Sequence, residues 1–259
     1  MSIVFRSAIG AVSRAVVLAS VFIALAEKIE QEVRALASSG LLQPNGLAGQ
    51  VSLSVAPVFV PTLLAPALQT LSVALPQIQL QISSTTRLVD LSQHEADIAL
   101  RSGGSPPEHL IGVNLGRMAV CVYRPAAWPS AEPKQWKQLP WVTPDASFSQ
   151  QDSVAWLKSQ GHFERASVRC DSIEHVAMLA SAGVGLAVLP CYLGDCNPGL
   201  VRASAPIPEF ASTLWLLWHP QWRGVKRITA VVEHLTKALK AQQDLIEGAR
   251  PHKSAWADC

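Results

Sequence analysis

Charge is scarce in this chain: 15% of its residues are charged, and 21 basic side chains stand against 19 acidic ones, a net of +2. Attraction to a nucleic acid needs a dense basic tract that releases counterions from the phosphates, and no such tract is present, so charge gives nucleic-acid binding no support. Cysteine is sparse as well. Cys121, Cys170, Cys191, Cys196 and Cys259 are an odd number with no CxxC pair, which fits reduced cytosolic thiols better than a disulfide framework. Cys191 and Cys196 with His175 lack a fourth ligand at matching spacing, so no metal site is expected. Local catalytic signatures are missing too: there is no G-x-S-x-G elbow, no H-E-x-x-H, no phosphate-binding loop with its lysine and no carboxylate pair tied to a histidine. A triad assembled in space would escape this reading, but the sequence points away from an enzyme, and no cofactor is expected.

A membrane-spanning run is also lacking. Residues 15–26, AVVLASVFIALA, are too short to cross a bilayer. They follow Arg6 and Arg14 and end in Ala24-Leu25-Ala26, the A-x-A pattern of a signal peptide, which would make the chain an exported solute-binding protein. The competing reading is an apolar helix running on into residues 27–37, where Leu25, Ile29, Val33 and Leu36 recur at helical spacing and charged residues fill the other face. The thiol content favours the helix and the cytoplasm.

Apolar content is plentiful: 49% of 259 residues is enough to bury a substantial core and to build two modest lobes. After a turn-rich linker at residues 38–49, residues 51–55 alternate as a strand and Pro57 breaks it. Val60, Leu63, Leu64, Ala67, Leu68, Leu71 and Leu75 then mark one face of a helix that Pro76 stops. A strand at 78–82, a short helix at 88–93 and a strand at 97–101 complete a β-α-β-α-β series, hence a parallel sheet with right-handed crossovers. Ile98, Ala99 and Leu100 show no polar alternation, so that strand is expected to be covered on both faces. The extended runs 110–115 and 118–123 carry the chain into a second lobe. There, strands at 141–143, 167–170 and 186–189 with helices at 152–159 and 173–182 repeat the scheme. Residues 213–219 read as a return strand and 225–241 as a final helix. The expected organisation is an N-terminal helix and linker at 1–49, a first lobe at 50–117 and 219–247, a second at 118–218 and a tail at 248–259.

In such a fold the strand ends face a ligand. Pro57, Val58 and Phe59 lead into a helix N-terminus whose N–H groups could hold a carboxylate, although their own side chains are apolar. Arg101, Ser102 and Gly103 end the third strand. Arg101 either grips an anionic effector in bidentate fashion or pairs with Asp97 or Glu95; on the first reading, Arg101→Ala weakens binding and leaves folding intact. Asp145, Ser147 and Phe148 precede a helix, where capping by Ser149 or Asp152 is the plainer account. Ser172, beside Asp171, either caps the helix carrying His175 or faces the cleft. Pro190 and Cys191 close the last strand. Gly183 and Gly185 precede that strand, so their G-x-G is no dinucleotide fingerprint. Trp215, Trp218 and Trp222 read as packing and hinge residues.

Four stretches in order carry a family resemblance: VSLSVAPVFVPTLLAPAL at 51–68, RLVDLSQHEADIALRSG at 87–103 followed by PPEHLIGVNLGRMAVCVYRPAAW, SIEHVAMLASAGVGLAVLPCYLGD at 172–195, and LWLLWHP leading into the final helix. From about Ala26 to Leu239 the chain resembles the linker helix and effector-binding (co-inducer) domain of LysR-type transcriptional regulators. The resemblance implies an α/β fold of two Rossmann-like lobes with a ligand cleft between them, periplasmic-binding-protein-like (type II), preceded by an N-terminal helix. It implies a small-molecule effector at the strand ends, a homodimer or higher oligomer with Leu25, Ile29, Val33 and Leu36 as a dimer contact, no membrane partner and a cytoplasmic location. In the family a winged helix-turn-helix precedes the linker helix. Only about two dozen residues precede Ala26, so DNA contact is expected only through a head not present in this chain. The other readings kept open are the exported solute-binding protein and an inactive remnant, or a dimerising competitor, of an intact regulator.

Overall fold

The computed structural model describes residues 25, 26, 28, 29, 46–85, 91–93, 95–130, 133–146, 151–210 and 212–249. Val33, Leu36, Ser147 and Phe148 lie outside them. Leu25 and Ile29 are helical and 52% and 53% exposed.

The first strand, β1 (Gly49–Val55), buries Val51, Leu53, Ser54 and Val55. The helix expected from Val60 onward does not run evenly. It opens with a single π turn, Val60–Leu64, before α1 (Ala65–Ala74). Pro61 and Pro66 supply no N–H, and the Ala65 N–H bonds back five residues to Val60 O, which is the π spacing. Then come β2 (Ile78–Ser84), β3 (Ile98–Gly103), β4 (Ile111–Arg117), β5 (Val120–Pro125), β6 (Trp141–Pro144), α2 (Gln151–Ser159), β7 (Ala166–Cys170), α3 (Ile173–Ser181), β8 (Ala187–Pro190), α4 (Cys191–Gly194), β9 (Leu200–Arg202), β10 (Thr213–Trp218), α5 (Lys226–Lys240) and α6 (Gln243–Ile246).

The first sheet has the order β2-β1-β3-β10-β4. β1 runs parallel to β2 and β3, as the β-α-β-α-β series requires, while β10 is antiparallel to both β3 and β4. The chain therefore re-enters the first sheet at Thr213 and runs through it to Trp218. Leu214, Trp215, Leu216 and Leu217 form an apolar run of the kind a central strand needs, but a run alone does not name its partners.

In the second half, β8-β5-β9 are antiparallel and β6-β7 parallel. A parallel bridge between Trp141 and Leu186 joins them, with Val142 N–H donating to Leu186 O and Leu186 N–H to Pro140 O, both at 2.9 Å. The combined order, β7-β6-β8-β5-β9, repeats that of the first sheet strand for strand. Gly185 makes the junction possible, because a Cβ there would lie 2.7 Å from Pro140 O. The G-x-G of this segment thus serves sheet closure.

One apolar core runs through both halves, with Val55, Leu64 and Leu100 from the first and Val142, Val176 and Leu189 from the second. α5 adds Ile228, Val231, Val232, Leu235 and Leu239 at three- and four-residue spacing. A separate core in the second half contains Trp136, Trp141, Leu157 and Phe163, and His162 stacks on Trp141 with centroids 4.1 Å apart. Among the described residues, no helix is long and apolar enough to cross a membrane, and no group of three or more His, Cys, Asp or Glu could hold a metal ion.

Candidate functional site

Because β2, β1 and β3 are parallel, all three end on one edge of the first sheet, and the residues that follow form its rim. Leu100 pairs with Val55, which places Arg101 just past the end of β1. Its side chain turns inward and is buried. Nη1 donates to Thr85 O at 2.6 Å and Nη2 to Ser54 Oγ at 2.7 Å, tying the guanidinium to the ends of β2 and β1. Desolvation by burial lowers its pKa from the ordinary arginine value. Asp97 is not its partner. The Asp97 carboxylate accepts from Ser52 N–H at 2.7 Å and Ser52 Oγ at 2.8 Å, bracing β1 against β3. Ser102 and Gly103 remain in the ladder opposite Leu214 and Thr213, so β3 runs two residues further than predicted.

At the end of β1, Pro57 is exposed while Val58 and Phe59 are buried. The N–H groups of Phe59 and Val60 bond to Ala56 O at 3.0 Å and Pro57 O at 3.1 Å, so two donors expected to face a carboxylate are used within the turn. The Phe59 ring lies against Tyr192 with centroids 5.5 Å apart and planes at 51°. This contact joins the rims of the two halves.

The second half supplies the ends of β6, β7 and β8. Asp145 N–H donates to Cys170 O at 2.7 Å, linking the first two of these ends. Ser172 caps α3: its Oγ accepts from His175 N–H at 3.4 Å and donates to Glu174 Oε2 at 2.6 Å. Pro190 is buried at the end of β8. Cys191 is fully buried, with its Sγ 3.4 Å from Cys121 Sγ, so this thiol faces the core.

Tyr192 was not among the sequence candidates. It is fully buried, its hydroxyl has no hydrogen-bond partner among the described residues, and burial together with the Glu174 carboxylate pushes its phenol pKa up. Phe59 thus meets Tyr192 across the two halves, and the Ser172-bound Glu174 carboxylate acts on Tyr192 through its charge. The signal that could have found Tyr192 was its place two residues beyond the end of a buried strand.

The electrostatics of the two rims differ. Arg101 is the buried cation of the first. On the second, the Asp171 and Asp145 carboxylates add to burial in raising the Cys170 thiol pKa, and Glu174 lies one turn away. Such an arrangement can orient a small molecule by charge and hydrogen bonding. An open groove of about 550 Å³ lies elsewhere, against β5 and β9, lined by Arg124, Ser130, Val201, Arg202 and Ser204. Its arginines already have partners: Arg202 holds Asp195 and Gly248 O, and Arg124 Nη1 donates to Pro125 O and Trp128 O.

Residues 44–240 match the LysR substrate binding domain. The structure is similar to the effector domain of the transcriptional regulator AmpR of Pseudomonas aeruginosa, with a TM-score of 0.59 and 18% identity over 76% of this chain and 97% of that one. It is similar to CrgA, a LysR-type transcriptional regulator from Neisseria meningitidis, with a TM-score of 0.59 and 20% identity over 85% of this chain and 78% of that one. The reduced regulatory domain of OxyR2 from Vibrio vulnificus gives a TM-score of 0.59 and 18% identity over 75% of this chain and 97% of that one. No curated protein matches the chain in sequence.

Proposed function

Because this chain belongs to the LysR substrate binding domain family, matching it over residues 44–240, we propose that its effector binds where the strand ends of the two halves meet. The fold is the two-lobed, periplasmic-binding-protein-like type II fold of LysR effector domains, and the function is ligand sensing within a LysR-type transcriptional regulator. The observation that supports the location is the Phe59–Tyr192 contact, which closes one rim on the other around a buried phenol hydroxyl with no hydrogen-bond partner among the described residues. An effector that accepts a hydrogen bond satisfies that hydroxyl and changes how the rims abut. It biases the equilibrium between arrangements only by its difference in affinity for them.

The Pro57–Val58–Phe59 turn, Arg101, Ser102 and Gly103 form the first wall of the site, and Asp145, Ser172 and Pro190 with Tyr192 form the second. The site binds a small molecule and does not transform it. Self-association passes the signal on, supported by the exposed apolar side chains Leu25 and Ile29 and by Val73, Ile82 and Met178, which are 81%, 38% and 64% exposed. DNA contact belongs to the winged helix-turn-helix of the family, not to residues 46–249, and the setting is the cytoplasm.

The test is a thermal-shift screen of small organic acids, amines and neutral aromatics, followed by hydrogen exchange on the chain with the most stabilising compound. A ligand at one hundred times its Kd stabilises by about 2.7 kcal/mol. Protection at residues 57–64 and 190–194 is expected. Protection confined to the Arg124 groove would place the effector elsewhere and refute the reading.

A further inference from the structure

The chain crosses between the two sheets at Met118 and Ala119, and the crossing is tied down on both sides. Ala119 N–H donates to Ile246 O at 2.9 Å, and Cys191 N–H donates to Ala119 O at 2.8 Å. Cys121 lies in β5, two residues beyond Ala119. Cys121 pairs with Leu189, which makes Cys191 its diagonal neighbour. The two sulfurs lie 3.4 Å apart, both fully buried and both reduced. Gly248, at φ +65°, closes over them: a Cβ there would lie 2.9 Å from both Ala119 Cβ and Cys191 Sγ. Its carbonyl is held by Arg202 Nη1 at 2.9 Å, while the rest of that guanidinium grips Asp195, which also accepts from Tyr123 OH at 2.8 Å.

We propose that Cys121 and Cys191 are a covalent modification site, forming a reversible disulfide when the chain meets a hydroperoxide. The sulfurs need to close by only about 1.3 Å to reach the ~2.05 Å of an S–S bond. The proton distribution suits the chemistry. The hydrogen bond the two thiols share holds the Cys121 pKa up, with burial adding to it, and holds that of Cys191 down; burial and Asp195 oppose the second shift, and Tyr123 and Arg202 reinforce it. The Cys191 thiolate attacks the peroxide: an S–O bond forms, the O–O bond breaks, and the departing oxygen takes up the one proton that Cys191 released, leaving as an alcohol, or as water from hydrogen peroxide. The Cys121 sulfur then attacks the sulfenic acid, an S–S bond forms, and the hydroxyl leaves with the Cys121 proton as water. Two thiols lose two electrons to one hydroperoxide, and the balance is a disulfide, one water and one alcohol. A thiol reductant reverses it, as fits a transient disulfide among reduced thiols.

The link has a structural reach beyond the pair. Cys191 is the first residue of α4, and the next residue, Tyr192, holds Phe59 of the other half. Drawing Cys191 toward β5 shifts the residue on which the rims meet. The site stands whether or not an effector occupies that rim.

The experiment uses the purified full chain, reduced, exposed to hydrogen peroxide, alkylated, unfolded, alkylated again with a second mass label and digested for mass spectrometry. The expected result is a cross-linked peptide joining Cys121 and Cys191, with the loss of two alkylatable thiols that dithiothreitol restores. The triple variant Cys170→Ser, Cys196→Ser, Cys259→Ser should form the same link, and Cys121→Ser or Cys191→Ser should abolish it. Peroxide-treated chain in which both thiols still alkylate on unfolding, oxidise without joining, or pair with another cysteine would overturn the proposal.

Discussion

Replacing Tyr192 with Phe is expected to make the chain more stable, and the sign of that change tests the account of the rim. The phenol is fully buried and its hydroxyl has no hydrogen-bond partner among the described residues, so the folded state has removed it from water without replacing its partner. A buried hydroxyl left in that condition costs about 1–3 kcal/mol. Phe keeps the ring against Phe59 at 5.5 Å, and a void of roughly 10 Å³ where the oxygen was costs only about 0.2 kcal/mol. The net gain is about 1–3 kcal/mol, which in a chain of this size raises Tm by about 2–12 °C. Urea unfolding followed by tryptophan fluorescence checks it: the midpoint should rise while the slope stays constant. A midpoint that falls would show that the hydroxyl has a partner and that the rim holds no hydrogen bond in reserve for a ligand. The same variant should lose response to an effector that accepts from the hydroxyl, so stability and sensing move in opposite directions.

Arg101→Met strips the donors from Thr85 O and Ser54 Oγ and should destabilise by about 1–3 kcal/mol in urea; a variant as stable as the parent would contradict a bracing role and restore the sequence-based expectation that folding is indifferent to Arg101. Burial, then Lys137 and Arg165, hold the His162 pKa below its usual value of 6.5, so the unfolded chain binds this proton more readily than the folded one. Stability from His162 is therefore full above about pH 6.5 and is lost as pH falls toward its lowered folded value. His162→Gln should flatten that acid limb of a Tm against pH profile, and an unchanged limb would assign it to other groups. The double variant Leu25→Glu, Ile29→Glu should shift sedimentation toward the monomer if these exposed apolar side chains seat a second copy; an unchanged distribution would remove them from the contact.

The strands were legible where the polypeptide obeys one local rule. Val51, Leu53 and Val55 alternate, Ile98 to Leu100 do not, and α5 carries its apolar stripe at helical spacing. What local rules cannot show is pairing. β10 was visible as an extended run, yet nothing in it says that it enters the middle of the first sheet, because sheet partners are set by contacts distant in sequence. β9 is three residues long and α4 four, too short for any period to register. The candidate site was legible as a set of strand ends but not as side-chain directions. Arg101 was found by its charge, although whether it turned inward or outward depended on Ser54 and Thr85 waiting behind it. Cys191 and Tyr192 were adjacent letters, and only the closing of α4 onto the crossing decided which met its thiol partner and which met the other rim.

The position of β10 also governs when this protein can fold. Until Trp218 has been synthesised, the first sheet lacks the strand between β3 and β4, and those two strands present unpaired edges to the surrounding solution. The second sheet has no such gap, since all its strands lie between Val120 and Arg202 and emerge from the ribosome together. The half that begins later in the sequence is thus the first able to complete its hydrogen bonding, and the earlier half waits for the chain to return. A nascent chain stalled before residue 213 would leave the ribosome with one finished sheet and one open one, a natural substrate for chaperones and proteases.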